Sequence, residues 1–147
     1  MVRLWYHENM RVFHDRLVDD SDRVYFKELL KNQFEAFALK EEEVLNAERV
    51  LYGDFLEGKD VEPRIYKQLV ESDVLVAKLY EFQEEYNQEA GKRGMQLILF
   101  LDACEHVARI TRVLRQPMGN ALLLGVGGSG RQSLSRLSCF IANQRIF

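Results

Sequence analysis

The first third of the chain carries two stretches of apolar residues at helical spacing, separated by a short polar break. Apolar residues recur at steps of three and four residues in each stretch, which predicts two amphipathic helices, the first over about residues 2–18. The break, Asp19 to Asp22, supplies side-chain oxygens that end one helix and cap the next. The predicted apolar stripes are Tyr6, Met10, Phe13 and Leu17, then Phe26, Leu30, Phe34 and Phe37.

The pattern changes in the stretch RVLYGDFLE at residues 49–57, which predicts a short extended segment and a turn. We place the internal boundary there. A helix is predicted to start near Pro63 and to run toward Tyr86, with Gly91 and Gly94 at its end. A further helix is predicted from about residue 96 to residue 115, where Pro117 stops it. Their stripes are Ile65, Leu69, Val76 and Leu79, then Leu97, Leu101, Cys104, Ala108 and Thr111.

The segment at residues 119–142 differs in kind from the rest. Ala121 to Leu124 is a continuous apolar run of strand length, which predicts a strand buried on both faces of a parallel sheet. The run leads into the glycine-rich stretch GVGGSGR and then into apolar residues at helical density, ending at Ile141. Strand, glycine loop and helix in this order are the context of a phosphate-binding loop. The predicted fold is therefore mainly α with a short parallel β element.

Composition excludes several classes of function. The 147 residues are 47% hydrophobic and 11% aromatic, which is enough for a packed core. A net charge of -3 gives no drive toward nucleic acid or an anionic membrane, and no apolar stretch has the length of a signal or a membrane span. Cys104 and Cys139 lie inside helical patterns, as small core residues of a protein in a reducing compartment do.

The glycine loop has the chemistry of a phosphate site, with two departures from the usual pattern. Small residues let several backbone N–H groups converge on phosphate oxygens at the positive end of the next helix. Arg131 stands at the position where such loops usually have a lysine. Gln132 stands where they have the Ser or Thr whose hydroxyl binds magnesium, and Ser133 follows one position later. Arginine keeps the charge but is longer and planar. The alternative, a glycine turn with no ligand, stays open.

Two other groups of polar residues are better explained as surface or core residues. His7, His14 and His106 do not have the spacing of a four-ligand metal set. The glutamates between Glu81 and Glu89 form the solvated face of a helix.

The stretch NALLLGVGGSGRQSLSRL, preceded by QLILFLDACEHVARITRVLRQPMGNA, resembles the start of the fourth AAA+ module of dynein heavy chains, most closely the axonemal type. The N-terminal LWYHENMRVFHDRLVDDSDR is similar to the helical lid of the third module, and RVLYGDFLEGKDVEPRIYKQL resembles the beginning of the fourth. The resemblance implies a lid at residues 1–45 and an incomplete AAA+ P-loop NTPase core at residues 46–147.

The resemblance also implies a function and a setting. Dynein heavy chains are rings of six AAA+ modules that couple ATP hydrolysis to movement along microtubules, in axonemes to bend cilia and flagella. The implied partners are the other modules of the ring and, through a full-length protein, intermediate and light chains and microtubules. The implied localisation is the cytoplasm, the cytoskeleton and the axoneme.

Site residues follow from the same resemblance. Its phosphate loop implies nucleotide contacts, with ATP or ADP as cofactor, at Gly125, Gly127, Gly128, Ser129, Gly130, Arg131, Gln132 and Ser133, and Ser133 as a ligand of Mg²⁺. Val50, Leu51 and Tyr52 are implied to line the adenine pocket, and either Arg3 or Arg11 to approach nucleotide held by the third module.

Hydrolysis by this chain is not expected. Phosphoryl transfer needs an acid-bearing strand after the loop, and residues 132–147 include no Asp or Glu. We therefore expect a fragment of a heavy chain that binds ATP or ADP without turnover, and no catalytic residues. The competing hypothesis is a structural or interaction fragment whose glycine loop stays empty. A complete small phosphate-loop kinase is disfavoured, because it needs further strands after the loop.

Overall fold

The computed structural model describes residues 1–45, 50–89 and 94–146. They form two compact units, Met1–Tyr52 and Gly53–Phe147. The described residues are mainly helical, as predicted. In chain order the helices are α1 (Val2–Val12), α2 (Asp20–Ala36), α3 (Glu41–Val44), α4 (Ser72–Gln88), α5 (Leu101–Arg115) and α6 (Arg131–Ile141), with a 3-10 turn at His14–Arg16. The strands β1 (Tyr52–Gly53) and β2 (Lys67–Gln68) pair in a two-stranded antiparallel sheet.

The first unit is held by aromatic packing between α1 and α2. The ring of Tyr6 lies 5.8 Å from the ring of Phe34, which is almost fully buried. The rings of Trp5 and Phe37 meet in an edge-to-face arrangement, with their centres 5.6 Å apart. The first helix was predicted over about residues 2–18, but α1 ends at Val12, where the chain tightens into the 3-10 turn.

The second unit has a continuous core made by α4, α5 and α6. The largest side chains in it, all with no exposed surface, are Phe55, Leu79, Phe82, Val107, Leu137 and Ile141. Tyr86 of α4 meets Phe140 of α6 edge to face, with ring centres 5.6 Å apart. Since α6 follows the glycine loop directly, this core fixes the position of the loop.

The helix predicted to start near Pro63 begins instead at Ser72. Residues 67–68 pair with β1, and Ile65 is 59% exposed although the predicted stripe placed it inside. Leu69 is buried as predicted, but beside a strand. Strand pairing outcompetes the helical pattern in this segment. Gly91, predicted to end the helix, and residue 46, the predicted start of the second domain, lie outside the described residues.

The helix predicted from residue 96 begins at Leu101, because the backbone before it is held extended. Side chains of α4 accept hydrogen bonds from the N–H groups of alternate residues. Asn87 accepts from Met95 at 2.7 Å, Gln83 from Leu97 at 2.8 Å, and the Tyr80 hydroxyl from Leu99 at 3.2 Å. Three polar side chains of α4 therefore supply the hydrogen-bond acceptors that a neighbouring strand would otherwise supply to residues 95–99.

The prediction of a buried parallel strand at Ala121 to Leu124 is wrong for this structure. No strand is assigned there, and Leu122 and Leu124 are each 83% exposed. A strand needs a neighbour to satisfy its backbone, and within residues 1–45, 50–89 and 94–146 the sheet contains only β1 and β2. The apolar run is correspondingly an unpaired, exposed segment that leads into the glycine loop.

Candidate functional site

The glycine loop adopts a conformation that requires glycine at two positions. Gly128 has a φ of 79° and Gly130 a φ of 75°, in the left-handed region that side chains with a Cβ rarely adopt. A Cβ added to Gly127, Gly128 or Gly130 would meet no atom within 4 Å, so the loop is open around them. Two of the glycines on which the prediction depends are thus needed by the backbone itself.

Gly130 is also the N-cap residue of α6. The first hydrogen bond of the helix runs from the Leu134 N–H to the Gly130 carbonyl at 2.9 Å, which leaves the earlier N–H groups without a partner inside the helix. Gln132 is exposed and Ser133 half-buried in this first turn. A helix N-terminus with free N–H groups attracts anions, so the geometry suits a phosphate.

Arg131 does not extend from the loop but folds back onto it. Its Nε donates to Ser129 Oγ at 3.0 Å, its Nη2 to the Val126 carbonyl at 3.0 Å, and its Nη1 to the Leu123 carbonyl at 3.4 Å. The sequence predicted the positive charge at this position but gave no signal for the direction in which the arginine side chain points. The position that usually contacts the phosphate therefore carries a cation, and its guanidinium is hydrogen-bonded to its own loop.

Helix α6 holds the loop in place through its buried face. Ser138 Oγ donates to the Val107 carbonyl at 3.5 Å, and neither residue has exposed surface. Cys139 is half-buried and Cys104 fully buried, and both are free thiols. Burial raises the pKa of both thiols, so they remain protonated and act as small core residues at neutral pH.

Val50, Leu51 and Tyr52 end the first unit, and the structure places all three next to its core. Leu51 is 4% and Tyr52 9% exposed. The ring of Tyr52 lies 5.2 Å from the ring of His7, whose Nδ1 is 2.9 Å from the Val50 carbonyl oxygen. Burial raises the pKa of the Tyr52 hydroxyl, which stays neutral. Their place in an adenine pocket stays a prediction.

The two candidate arginines of the first unit are each engaged within that unit. Arg3 donates through Nε to the Val44 carbonyl at 3.0 Å and through Nη2 to the Glu43 carbonyl at 2.8 Å, which fastens α3 to α1. Arg11 has only 9% of its side chain exposed and lies 3.3 Å from the Asp15 carboxylate. Both arginines stabilise the helical packing, and the choice between them as a nucleotide contact stays open.

The described part of the chain has neither a metal-binding cluster nor a membrane-spanning helix. Among residues 1–45, 50–89 and 94–146, no three His, Cys, Asp or Glu side chains are placed to hold a metal ion together. No helix in that part of the chain has the length and apolar character needed to cross a membrane.

The loop and the helix after it fall in a segment that matches a known class of motor region. Residues 95–147 match the family described as "P-loop containing dynein motor region D4". The matched segment includes the extended residues 95–99, α5, the glycine loop and α6, and the description agrees with a phosphate loop at residues 125–133.

The whole chain aligns with axonemal dynein heavy chains. It is 47% identical to dynein axonemal heavy chain 1 of Mus musculus, 41% identical to dynein axonemal heavy chain 10 of Homo sapiens and 43% identical to dynein axonemal heavy chain 2 of Mus musculus. Each alignment covers 100% of this chain and 3% of the relative. The predicted resemblance is thereby confirmed, and the chain corresponds to a small segment of these relatives.

Proposed function

We propose that this chain is a segment of an axonemal dynein heavy chain, a microtubule motor, and that its glycine loop binds the phosphates of ATP or ADP. The observation that carries the proposal is the conjunction of the open, left-handed glycine loop with the N-terminus of α6, inside the segment that matches a P-loop dynein motor region. The alignment along the whole chain supports the larger assignment.

In the proposed site, backbone N–H groups make the principal contacts. The N–H groups of Gly127 to Gly130 and of the first turn of α6 converge on the phosphate oxygens, and the helix dipole favours their negative charge. Arg131 assists, and the Ser133 hydroxyl is the proposed ligand for Mg²⁺. Gln132 in the usual hydroxyl position binds magnesium more weakly. The site therefore fits the holding of nucleotide better than rapid turnover.

We propose the following domain assignment. Residues 1–45 form a helical lid of the kind that closes the third module of the ring, and residues 46–147 begin the fourth module. The structure divides between Tyr52 and Gly53, close to the change of sequence pattern at residues 49–57, which supports an assignment to two units. The partners are then the other modules of the ring and, through the whole heavy chain, its intermediate and light chains and microtubules, in the axoneme of cilia or flagella.

Calorimetric titration of the 147-residue chain with ADP and ATP in the presence of Mg²⁺ tests the nucleotide site, together with thermal unfolding. At a ligand concentration 100 times the dissociation constant, we expect about 2.7 kcal/mol of added stability. The variant Gly128→Ala forces a Cβ into the left-handed region and should lose most of the affinity. Gly94→Ala is the matched control, since its Cβ would make ordinary contact with Asn87 at 3.6 Å. No heat and no shift of the melt with either nucleotide would refute the site.

A second candidate is a structural segment whose loop stays empty. The contacts of the Arg131 guanidinium with Leu123, Val126 and Ser129 favour it, because they occupy the cation that would otherwise meet the phosphate. The same titration separates the two candidates. Absence of binding, in a chain whose helical content and cooperative melt are intact, would favour the structural role.

A further inference from the structure

The side chain of Arg131 connects three separate points of the segment that carries the loop. Its acceptors are the carbonyl of Leu123, two residues before the loop begins, the carbonyl of Val126 at the start of the loop, and the hydroxyl of Ser129 near its end. Each acceptor is served by a different nitrogen of the guanidinium. We call this set of three hydrogen bonds the Arg131 brace.

Two physical properties make the brace specific to arginine. The guanidinium presents its donors on three nitrogens in a rigid plane, whereas lysine carries all its donors on a single atom at the end of a flexible stem. The brace also engages two carbonyl oxygens, whose partial negative charge would otherwise repel a phosphate nearby. A lysine at position 131 keeps the positive charge but not the geometry that links the three acceptors.

Gly125 lies so close to the Arg131 brace that a side chain larger than hydrogen would crowd it. A Cβ at this position would lie 3.2 Å from Ser129 Oγ and 3.4 Å from both Cδ and Nε of Arg131. These are tight contacts, so a side chain here would press on the hydroxyl and the guanidinium together. The first glycine of the loop thus leaves room for the arginine side chain, in addition to any room it leaves for a ligand.

We propose that Arg131 is a positioning residue, which holds the loop in its phosphate-accepting shape and assists binding through that shape and not through direct contact with the phosphate. The inference rests on the proposed function of the loop and specifies how one residue contributes to it. It distinguishes this loop from one in which a lysine supplies charge to the terminal phosphates.

The ligand-free chain gives the first test, by nitrogen-15 relaxation of the backbone. We expect rigid order parameters, near 0.85, for residues 127–130 in the natural chain, and values below about 0.6 in Arg131→Lys. Ser129→Ala removes one of the three acceptors and should give an intermediate value. Arg136→Lys, an exposed arginine on the same helix, is the matched control and should change nothing. A loop equally rigid in Arg131→Lys and in the natural chain would overturn the proposal.

Binding of Mg²⁺ and ADP gives the second test, because charge and shape predict different orders of affinity. We expect Arg131→Lys and Arg131→Gln to weaken binding by a similar factor of about ten, the loss of a hydrogen bond to a charged group. The salt dependence of the dissociation constant should change no more in Arg131→Gln than in Arg136→Gln, since both remove one charge from the same helix. Affinity retained in Arg131→Lys and lost in Arg131→Gln would instead show direct contact.

The two proposals fail in different ways. If the natural chain binds no ADP, the phosphate site is refuted, while the order parameters still decide whether Arg131 shapes the loop. If the natural chain binds ADP and Arg131→Lys binds equally well with a rigid loop, the brace is refuted and the phosphate site stands. Circular dichroism of each variant establishes that α6 is folded before either comparison is made.

Discussion

The contrast between Leu137 and Leu122 gives a direct measure of where the core of the second unit lies. Both are leucines within the segment that carries the loop, and both can be shortened to alanine. Leu137 on α6 has no exposed surface, whereas Leu122, in the apolar run before the loop, is 83% exposed. The same substitution therefore removes buried atoms at one site and solvated atoms at the other.

The expected magnitudes follow from the burial of the two side chains. Leu→Ala deletes three carbon atoms, worth about 0.8 kcal/mol each when fully buried, and the cavity left behind adds to that cost. For Leu137→Ala we expect a loss of about 3–4 kcal/mol in the free energy of unfolding. Leu122 has less than a fifth of its surface buried, so Leu122→Ala should cost below about 0.5 kcal/mol.

Urea denaturation of both variants and the natural chain, followed by circular dichroism, gives the comparison. The midpoint should move strongly for Leu137→Ala and hardly at all for Leu122→Ala, with the slope of each transition unchanged. Equal losses at the two positions would refute the reasoning. They would mean that the apolar run is buried in solution, as the sequence pattern predicted.

Three further predictions concern Gly119, the hydrogen bonds between α4 and residues 95–99, and the pH dependence of the first unit. Gly119→Ala should cost about 1–3 kcal/mol or more by urea denaturation, because its Cβ would lie 1.8 Å from a carbonyl oxygen at the end of α5, whereas Gly127→Ala enters open space and should be near neutral. Gln83→Leu should cost about 1–3 kcal/mol by leaving the Leu97 N–H without its acceptor, and Gln88→Leu, at an exposed glutamine of the same helix, should be near neutral in the same assay. Burial lowers the pKa of His14 despite the nearby carboxylate, so the unfolded chain binds its proton first and stability falls as pH drops below about 6.5. A urea midpoint that tracks the single tryptophan should therefore fall less on acidification in His14→Leu than in the natural chain, and an equal fall would contradict the assignment to His14.

Helices whose stability depends on their own periodic burial were predictable from the sequence. The stripe of α2 includes Leu30 and Phe34, and that of α6 includes Leu137 and Ile141, all of which are buried. The buried residues of each helix recur every three or four positions, so the sequence pattern alone indicates which face of the helix is buried. The extended segment at residues 95–99 carried no such signal, since side chains of α4 satisfy its backbone from a distance along the chain.

The apolar run at residues 121–124 shows a different limit of sequence reading. Its composition is that of a buried strand, but whether such a run is buried depends on neighbouring strands, and a single run does not reveal whether they are present. The candidate site likewise has one part that the sequence predicts and one part that depends on the folded structure. The position of the loop and its glycines could be read from spacing, because left-handed backbone requires them, whereas the direction of the Arg131 side chain depends on which carbonyls the folded loop presents.

The C-terminal end of α6 is held by contacts with Lys59. Lys59 places its ammonium 4.0 Å from the centre of the Phe140 ring, and Asn143 donates to the Lys59 carbonyl at 2.9 Å. At 1.5 Å per residue the 11-residue helix is a rod about 16 Å long, with the glycine loop at one tip and this anchor at the other. One unbroken helix therefore joins the glycine loop to the contacts with Lys59. The loop and the Lys59 contacts are thus coupled to the same helix, at its opposite ends.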